Sequence, residues 1–350
     1  MAEKTFMKGN EAIAEAAIIA GCRYFFGYPI TPQNEVPAYM AMRLPQVGGT
    51  FLQAESEVAA INMVFGAAAA GARVMTSSSS PGISLKQEGI SYLSGAELPA
   101  VVVNMMRGGP GLGNIAGAQA DYFQATKGGG HGDYRLIVLA PASVQELADL
   151  TLLAFDLADQ HRMVAMVLGD GFLGQMSEPL VLPAPSGKKF DKSGWALTGM
   201  KGREQHVVRS YLATDVALEE RNLRLQEKYR AVEAQETRFE RCGDDGADYL
   251  LVGFGICSRL LRAAADTLGG EGIRAALFRP ITLWPFPAAA LAEAARGKKK
   301  ILVVEMNAGQ MVEDVRLAAA GIADIDFLGR MGGMIPGIEA IVERVRSYVK

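Results

Sequence analysis

The stretch Ala100-Val-Val-Val-Asn-Met-Met-Arg-Gly-Gly-Pro-Gly-Leu-Gly113 decides the fold, because an apolar run without polar alternation leads straight into a glycine-rich loop. A strand with one face in water alternates apolar and polar residues, so a run apolar on both faces belongs to a covered, parallel strand of a βαβ unit. Similar runs flank it on both sides: Arg23-Tyr-Phe-Phe26, Arg73-Val-Met-Thr76, Arg135-Leu-Ile-Val-Leu139 and Met163-Val-Ala-Met-Val-Leu168. Helix-length segments separate them, which predicts an α/β domain with a parallel sheet over residues 1–185. A shorter alternation through Tyr249-Leu-Leu-Val-Gly253, Arg274-Ala-Ala-Leu-Phe278 and Ile301-Leu-Val-Val-Glu305 predicts a smaller α/β domain over 246–350.

Residues 186–245 read as a linker. Leu182-Pro-Ala-Pro-Ser-Gly-Lys-Lys189 is an exit loop, and Asp215 to Arg241 is a helix with 13 charged residues in 27. Leu218, Leu225, Val232 and Phe239 recur every seven residues, but Asn222, Tyr229 and Glu236 occupy the partner positions. The pattern predicts a solvated helix lying along another surface, not a coiled coil.

At 350 residues the chain has the length of two domains of roughly 150 each. With 49% hydrophobic and 21% charged residues it can bury large cores, which excludes disorder as its main state. A net charge of −3, from 35 Lys and Arg against 38 Asp and Glu, offers no polycationic surface for nucleic acid. Cys22, Cys242 and Cys257 form no CxxC pair, so this chain by itself builds neither a disulfide framework nor an iron–sulfur cluster, and a reducing cytoplasm is expected. The N-terminus lacks the apolar core of a signal peptide, and the most apolar stretch, 58–72, is interrupted by Asn62 and shorter than the roughly 20 residues of a spanning helix. No membrane segment is expected.

Three loops that follow apolar runs gather glycine, proline and small polar residues: Gly27-Tyr-Pro-Ile-Thr-Pro32, Ser77-Ser-Ser-Ser-Pro-Gly82 and Arg107-Gly-Gly-Pro-Gly-Leu-Gly113. Ligands of open parallel sheets bind outside the carboxyl ends of strands, so the three predict one shared site. Gly111-Leu-Gly-Asn-Ile-Ala116 also matches GxGxxA, with Asp133 at ribose distance, which keeps a dinucleotide reading open. Glu55 and Glu57 open an apolar helix, and residues two apart point to opposite sides, so one of them faces a pocket. An acid desolvated at that point suits proton transfer, while a carboxylate merely favoured by the helix dipole is the plainer account.

Gly169-Asp-Gly171 resembles the start of a magnesium-diphosphate motif, but Leu197 and Thr198 stand where its asparagine belongs, so Asp170 reads as a turn residue and no metal site is expected here. His131 sits in a glycine loop that could meet substrate, and His161 and His206 lack metal partners at ligand spacing. Lys86, Glu88 and Asp121 could orient a ligand or form surface pairs. Arg279-Pro-Ile-Thr-Leu-Trp-Pro285 and Glu305-Met-Asn-Ala-Gly-Gln310 follow strands of the second domain without any catalytic constellation, which suggests interface roles.

Gly27-Tyr-Pro-Ile-Thr-Pro32, Glu55-Ser-Glu-Val-Ala-Ala60, the Thr76 to Ser84 segment, Arg107-Gly-Gly-Pro-Gly111 and Gly169-Asp-Gly171 together resemble the alpha-type subunit of 2-oxoacid:ferredoxin oxidoreductases. The segments Tyr28-Pro-Ile-Thr-Pro-Gln-Asn-Glu35 and Ser77-Ser-Ser-Ser-Pro-Gly-Ile-Ser-Leu-Lys-Gln-Glu-Gly89 are most similar to the branched-chain, 2-ketoisovalerate type. The resemblance implies a pyrimidine-binding domain of a thiamine-diphosphate enzyme followed by a transketolase C-terminal-like domain. It implies oxidative decarboxylation of a 2-oxo acid to acyl-CoA and CO2 with ferredoxin as acceptor. Pyruvate, 2-oxoglutarate or an arylpyruvate are alternative substrates, and a non-catalytic assembly subunit is an alternative role. Thiamine diphosphate would be shared with a beta subunit carrying Mg2+ and a [4Fe-4S] cluster, with a gamma subunit and a ferredoxin or ferredoxin-like subunit completing the complex. By position, Glu57 looks like the activating glutamate that bonds the pyrimidine nitrogen, Pro29 lies beside the cofactor ring, and Thr31 and Arg107 match substrate-carboxylate positions. An arginine fork with a hydroxyl donor suits a carboxylate. Ser78-Ser79-Ser80 replaces the Thr-Ser-Gly-Pro-Gly run of many relatives, so no single serine inherits a role.

Overall fold

The structure, a computed structural model, describes residues 4–349. The chain opens with β1 (Thr5–Lys8), α1 (Gly9–Ile19), β2 (Tyr24–Gly27), α2 (Glu35–Arg43) and β3 (Thr50–Gln53). It continues through α3 (Glu57–Ala69), β4 (Val74–Ser78), α4 (Ser80–Gly95), β5 (Ala100–Met106), α5 (Tyr122–Thr126) and β6 (Ile137–Leu139). The first half ends with α6 (Val144–His161), β7 (Val164–Asp170), α7 (Gly171–Gln175) and β8 (Ser177–Leu180). After α8 (Asp215–Gln235) come β9 (Phe239–Cys242), β10 (Tyr249–Val252), α9 (Ile256–Gly270), β11 (Ala275–Pro280) and β12 (Thr282–Trp284). The last elements are α10 (Ala288–Ala295), β13 (Lys300–Glu305), α11 (Met311–Ala318), β14 (Asp324–Gly329) and α12 (Ile338–Arg346).

The expected α/β architecture is present. A seven-stranded sheet has the order β12-β6-β7-β5-β4-β2-β3, and a five-stranded sheet the order β14-β13-β10-β11-β9. Every residue of β4, β5 and β7 is buried, which is why their sequences show no alternation. From β2 the chain steps outward to β3, and from the adjacent β4 it steps the other way to β5. The order reverses between β2 and β4, which opens a crevice at their carboxyl ends.

Six strands, β1, β3, β8, β9, β12 and β14, carry too little pattern to be read from sequence. Edge strand β3 is largely exposed, β1 and β8 form a small antiparallel ribbon, and β12 crosses from the second half to pair antiparallel with β6 at the edge of the first sheet. Strand β9 lies inside the stretch expected as linker and pairs antiparallel with β11, so the second sheet recruits residues ahead of 246. Helix α8 stops at Gln235, and its buried stripe is Leu225, Tyr229 and Val232, with Glu236 buried just beyond, wider than the heptad positions suggested. Tyr229 packs edge-on against Trp284 at 5.8 Å, while Leu218 stays exposed and Phe239 belongs to β9. The helix straps the first sheet where β12 joins it.

One apolar core runs through both sheets, and polar ties reinforce the junction. Arg279, at the end of β11, is buried and gives Nη1 and Nη2 to the two Glu146 oxygens at 2.6 and 2.7 Å, with Nε on Glu240 at 2.8 Å. Gln119 donates to the Phe254 carbonyl and accepts from the Met306 amide and the Cys257 thiol, while Asn307 donates to the Gln119 carbonyl. The second-half segments 279–285 and 305–310 therefore join the two sheets.

Candidate functional site

Ser56 caps α3 in an extended conformation, its Oγ accepting from the Ala59 amide at 3.2 Å. The cap leaves Glu55 outside the helix and exposed, and makes Glu57 the first helical residue, turned inward and 6% exposed. Glu57 is thus the acid that faces the interior. The helix behind it is less enclosed than its composition suggested: Val58, Asn62, Gly66 and Ala70, spaced by one turn, form an exposed ridge.

Glu57 lies against the first turn of α4. An added Cβ on Gly82 would stand 2.6 Å from Glu57 Oε1 and 2.1 Å from Ser78 Oγ, so only glycine admits both groups at that point. Around the ends of β2, β4 and β5, four buried polar atoms have no partner: Ser78 Oγ, Ser79 Oγ, Gln33 Nε2 and Arg107 Nε. A buried donor or acceptor left unpaired costs on the order of 1–3 kcal/mol, so a cluster of them singles out this crevice as the candidate site for polar groups of a ligand. Gln33 accepts from the Ser77 hydroxyl through its other amide atom, which leaves Nε2 to donate.

The frame of this crevice is fixed by hydrogen bonds between loops. Ser80 Oγ donates to Asp121 Oδ2 at 2.6 Å and accepts from the Arg107 amide at 2.9 Å, and Asn104 Nδ2 donates to the same Asp121 oxygen at 2.9 Å. Burial raises the Asp121 proton affinity, opposed by these two donors. Arg107 is buried, and the fork expected to meet a carboxylate is committed to the protein: Nη1 donates to the Thr31 carbonyl and Nη2 to the Leu112 carbonyl, both at 2.9 Å. Thr31 and Arg107 are brought together through that backbone contact, with the Thr31 hydroxyl accepting from Asn34 at 3.3 Å. Pro29 is exposed in the loop after β2, on the same rim.

Other sequence candidates fall elsewhere. The GxGxxA segment folds back on itself, Asn114 N donating to the Gly108 carbonyl at 3.0 Å and Gly113 taking φ +58, and no helix begins until Tyr122. It therefore offers no helix N-terminus to a pyrophosphate. Asp170 is a turn residue as expected: Oδ1 caps α7 through the Phe172 and Leu173 amides, and burial pushes its proton affinity up to about 6. His131 is exposed on the loop entering β6, at the opposite end of the sheet from the crevice. Glu88 is exposed and accepts from the Tyr92 hydroxyl, whereas Lys86 is fully buried. No group of three or more His, Cys, Asp or Glu suited to a metal ion occurs among the described residues. No helix among them is long and apolar enough to cross a membrane. Gln33 lines the crevice without having been singled out from sequence, and which serine of the 77–80 run and whether Lys86 would face inward were left open there, because a buried polar residue in a loop or helix looks the same in sequence as an exposed one.

A parallel-sheet domain whose crevice sets an interior glutamate among unsatisfied polar groups is joined to a second α/β unit, and the match of the first to a thiamine-diphosphate-binding family gives the class. Comparison with known proteins gives the family. Residues 15–239 match the family described as pyruvate flavodoxin/ferredoxin oxidoreductase, thiamine diphosphate-binding, and residues 247–341 match pyruvate:ferredoxin oxidoreductase core domain II. The ketoisovalerate oxidoreductase subunit VorB of Methanothermobacter thermautotrophicus is 51% identical over 97% of both chains. The 2-oxoglutarate synthase subunit KorA of Archaeoglobus fulgidus is 38% identical over 99% of both. Among solved structures, the 2-oxoglutarate:ferredoxin oxidoreductase of Magnetococcus marinus superposes with a TM-score of 0.90 at 28% identity, covering all of this chain and 66% of the longer one. The chain belongs to the 2-oxoacid:ferredoxin oxidoreductase family, as an alpha-type subunit that carries the thiamine-diphosphate-binding domain.

Proposed function

We propose that this subunit binds the pyrimidine side of thiamine diphosphate and serves a cytoplasmic complex that oxidatively decarboxylates a branched-chain 2-oxo acid, 2-ketoisovalerate, to the acyl-CoA and CO2. The observation that supports the reading most is the seat of Glu57, an interior carboxylate opposite Gly82 and beside the unpartnered Ser78 hydroxyl. Glu57 faces the pyrimidine ring nitrogen, and Ser78, Ser79 and Gln33 Nε2 supply bonds to the ring's other polar edges. Pro29 borders the ring on the rim of the crevice. Bound there, thiamine diphosphate supplies the electron sink that decarboxylation of a 2-oxo acid requires.

Arg107 acts mainly by holding the Thr31 segment and the 108–117 loop against each other. Its free Nε, with the Thr31 hydroxyl, is the donor pair offered to the substrate carboxylate. The chain lacks a magnesium-diphosphate motif and cluster cysteines, which supports a partner beta subunit that contributes Mg2+ and a [4Fe-4S] cluster, with a gamma subunit and a ferredoxin as electron carrier. The 51% identical relatives are named for ketoisovalerate and those at 35 to 38% for 2-oxoglutarate, which favours the branched-chain acid.

Anaerobic affinity purification from the host tests the reading. Stoichiometric thiamine diphosphate and iron with co-purifying partners, and turnover highest with 2-ketoisovalerate among pyruvate, 2-oxoglutarate and arylpyruvate, is the expected result. A complex that keeps normal turnover when Glu57 and Arg107 are both changed would mean an assembly role instead, and a chain recovered alone, without thiamine or iron and active with a nicotinamide cofactor, would overturn the reading.

A further inference from the structure

Helices α3 and α4 meet along a seam without bulk. An added Cβ on Gly89 would lie 2.5 Å from Ile61 Cγ2, and one on Gly82 would lie against Glu57, so Glu57 and Ile61 on one helix face Gly82 and Gly89 on the other. Between those glycines stands Lys86, fully buried. Its Nζ donates to Thr76 Oγ1 at 2.6 Å and to the Ser77 carbonyl at 3.1 Å, both neutral acceptors at the end of β4. An ammonium has three donors, and no carboxylate lies within ion-pair distance of it among the described residues. Burial drives its proton affinity down, from 10.5 to about 7, and the Glu57 charge works against that fall.

Methionine fills the same volume with no charge to desolvate, so tying β4 to α4 does not by itself explain an amine here. Glu57 of α3 is seated against Gly82, one turn before Lys86 on α4, and its charge favours the protonated lysine. Strand β4 presents only Thr76 and Ser77, Asn104 of β5 and Asp121 are turned to Ser80, and Glu88 on α4 itself is exposed and bonded to Tyr92. We propose that Lys86 is a positioning residue for Glu57: a cation sealed behind the carboxylate that pins the end of β4 and sets the field in which Glu57 meets a ring nitrogen. The inference rests on the reading of Glu57 given above. Loss of the Lys86 proton changes the net charge behind Glu57 by one unit.

Two measurements test it. In the full chain with 15N-labelled lysine, the Lys86 resonance, assigned by its loss in Lys86→Met or Lys86→Gln, titrates near pH 7. Glu57→Gln then lowers that midpoint, because removing a nearby negative charge disfavours the ammonium form. An unchanged midpoint overturns the proposal whatever Glu57→Gln does to turnover, while near-normal turnover of Glu57→Gln overturns the assignment of Glu57 and leaves the coupling measured. The second is the affinity of the reconstituted complex for thiamine diphosphate from pH 6 to 9. The wild type shows an inflection near 7 that Lys86→Met lacks and Thr76→Val, which weakens the tether but keeps the charge, retains. If Thr76→Val loses the inflection as well, or Lys86→Met keeps it, the lysine is only a tether and the proposal fails.

Discussion

Replacing Lys86 by methionine removes a buried charge while keeping a side chain of similar volume, and the structure fixes how the effect must vary with pH. In the folded chain burial holds the amine near 7, whereas in the unfolded chain it has its ordinary 10.5. Between those values the unfolded chain binds a proton that the folded chain does not. Wild-type stability therefore rises with pH through the window from about 7 to 10.5, by up to about 1.4 kcal/mol per pH unit. Below 7 both states are protonated and the lysine is at its most costly. Over the whole window the sum is about 5 kcal/mol. Methionine has no such dependence. Losing the bonds to Thr76 and Ser77 costs the variant a further, pH-independent amount of roughly 1–3 kcal/mol. The expected result in urea melts of the full chain at pH 6.5, 8 and 9.5 is that the variant's stability relative to wild type is greatest at 6.5 and falls by about 3 kcal/mol by 9.5. Two parallel curves with a constant offset would show that Lys86 is not desolvated as the structure has it, and the reasoning would be refuted.

Glu57→Gln should assemble normally and lose decarboxylation by orders of magnitude, measured as ferredoxin reduction by the reconstituted complex; turnover near the wild-type rate sinks the assignment. Gly82→Ala keeps a helical residue in α4 but sets a methyl 2.1 Å from Ser78 Oγ and 2.6 Å from Glu57 Oε1, so thiamine diphosphate affinity should fall at least about tenfold with an unchanged far-ultraviolet spectrum. Equal affinity would place the cofactor elsewhere. Arg279→Met leaves Glu146 without its cation and Glu240 with Arg262 alone at the junction of the two sheets, and should cost about 2 kcal/mol in denaturant melts, a loss that vanishes if the three-way contact is idle. Arg107→Lys preserves the charge but cannot span both the Thr31 and Leu112 carbonyls, so KM for the 2-oxo acid should rise about tenfold or more, and an unchanged KM would exclude this arm from the substrate site.

The strands buried on both faces were legible because burial leaves a mark in composition: β4, β5 and β7 carry continuous apolar or small residues wherever the chain can accept no water. Loops at their carboxyl ends were legible for a related reason, since close approach of backbone and ligand selects glycine and small polar residues. Those two signals gave the α/β class and the expectation of one shared site; between Glu55 and Glu57 the choice came only from the family resemblance. Strand β3 was not legible because an exposed edge imposes no pattern, and β9 and β12 were not because each is completed by a partner far away in the chain, Leu277 to Pro280 for one and Val138 and Leu139 for the other.

What the sequence by itself determined is the set of local choices: which runs must hide from water, where the chain must turn, and which residue types wait at the turns. What only the tertiary structure decided is which polar groups are shut in together. Lys86 and Glu88 are two residues apart on one helix, yet one is sealed against β4 and the other stands in water. Arg107 reads as a free fork in sequence and is found with both terminal nitrogens on carbonyls. Such differences depend on what the next layer places over a side chain, and with it the dielectric and the partners that set its charge; neither is written in the residues beside it.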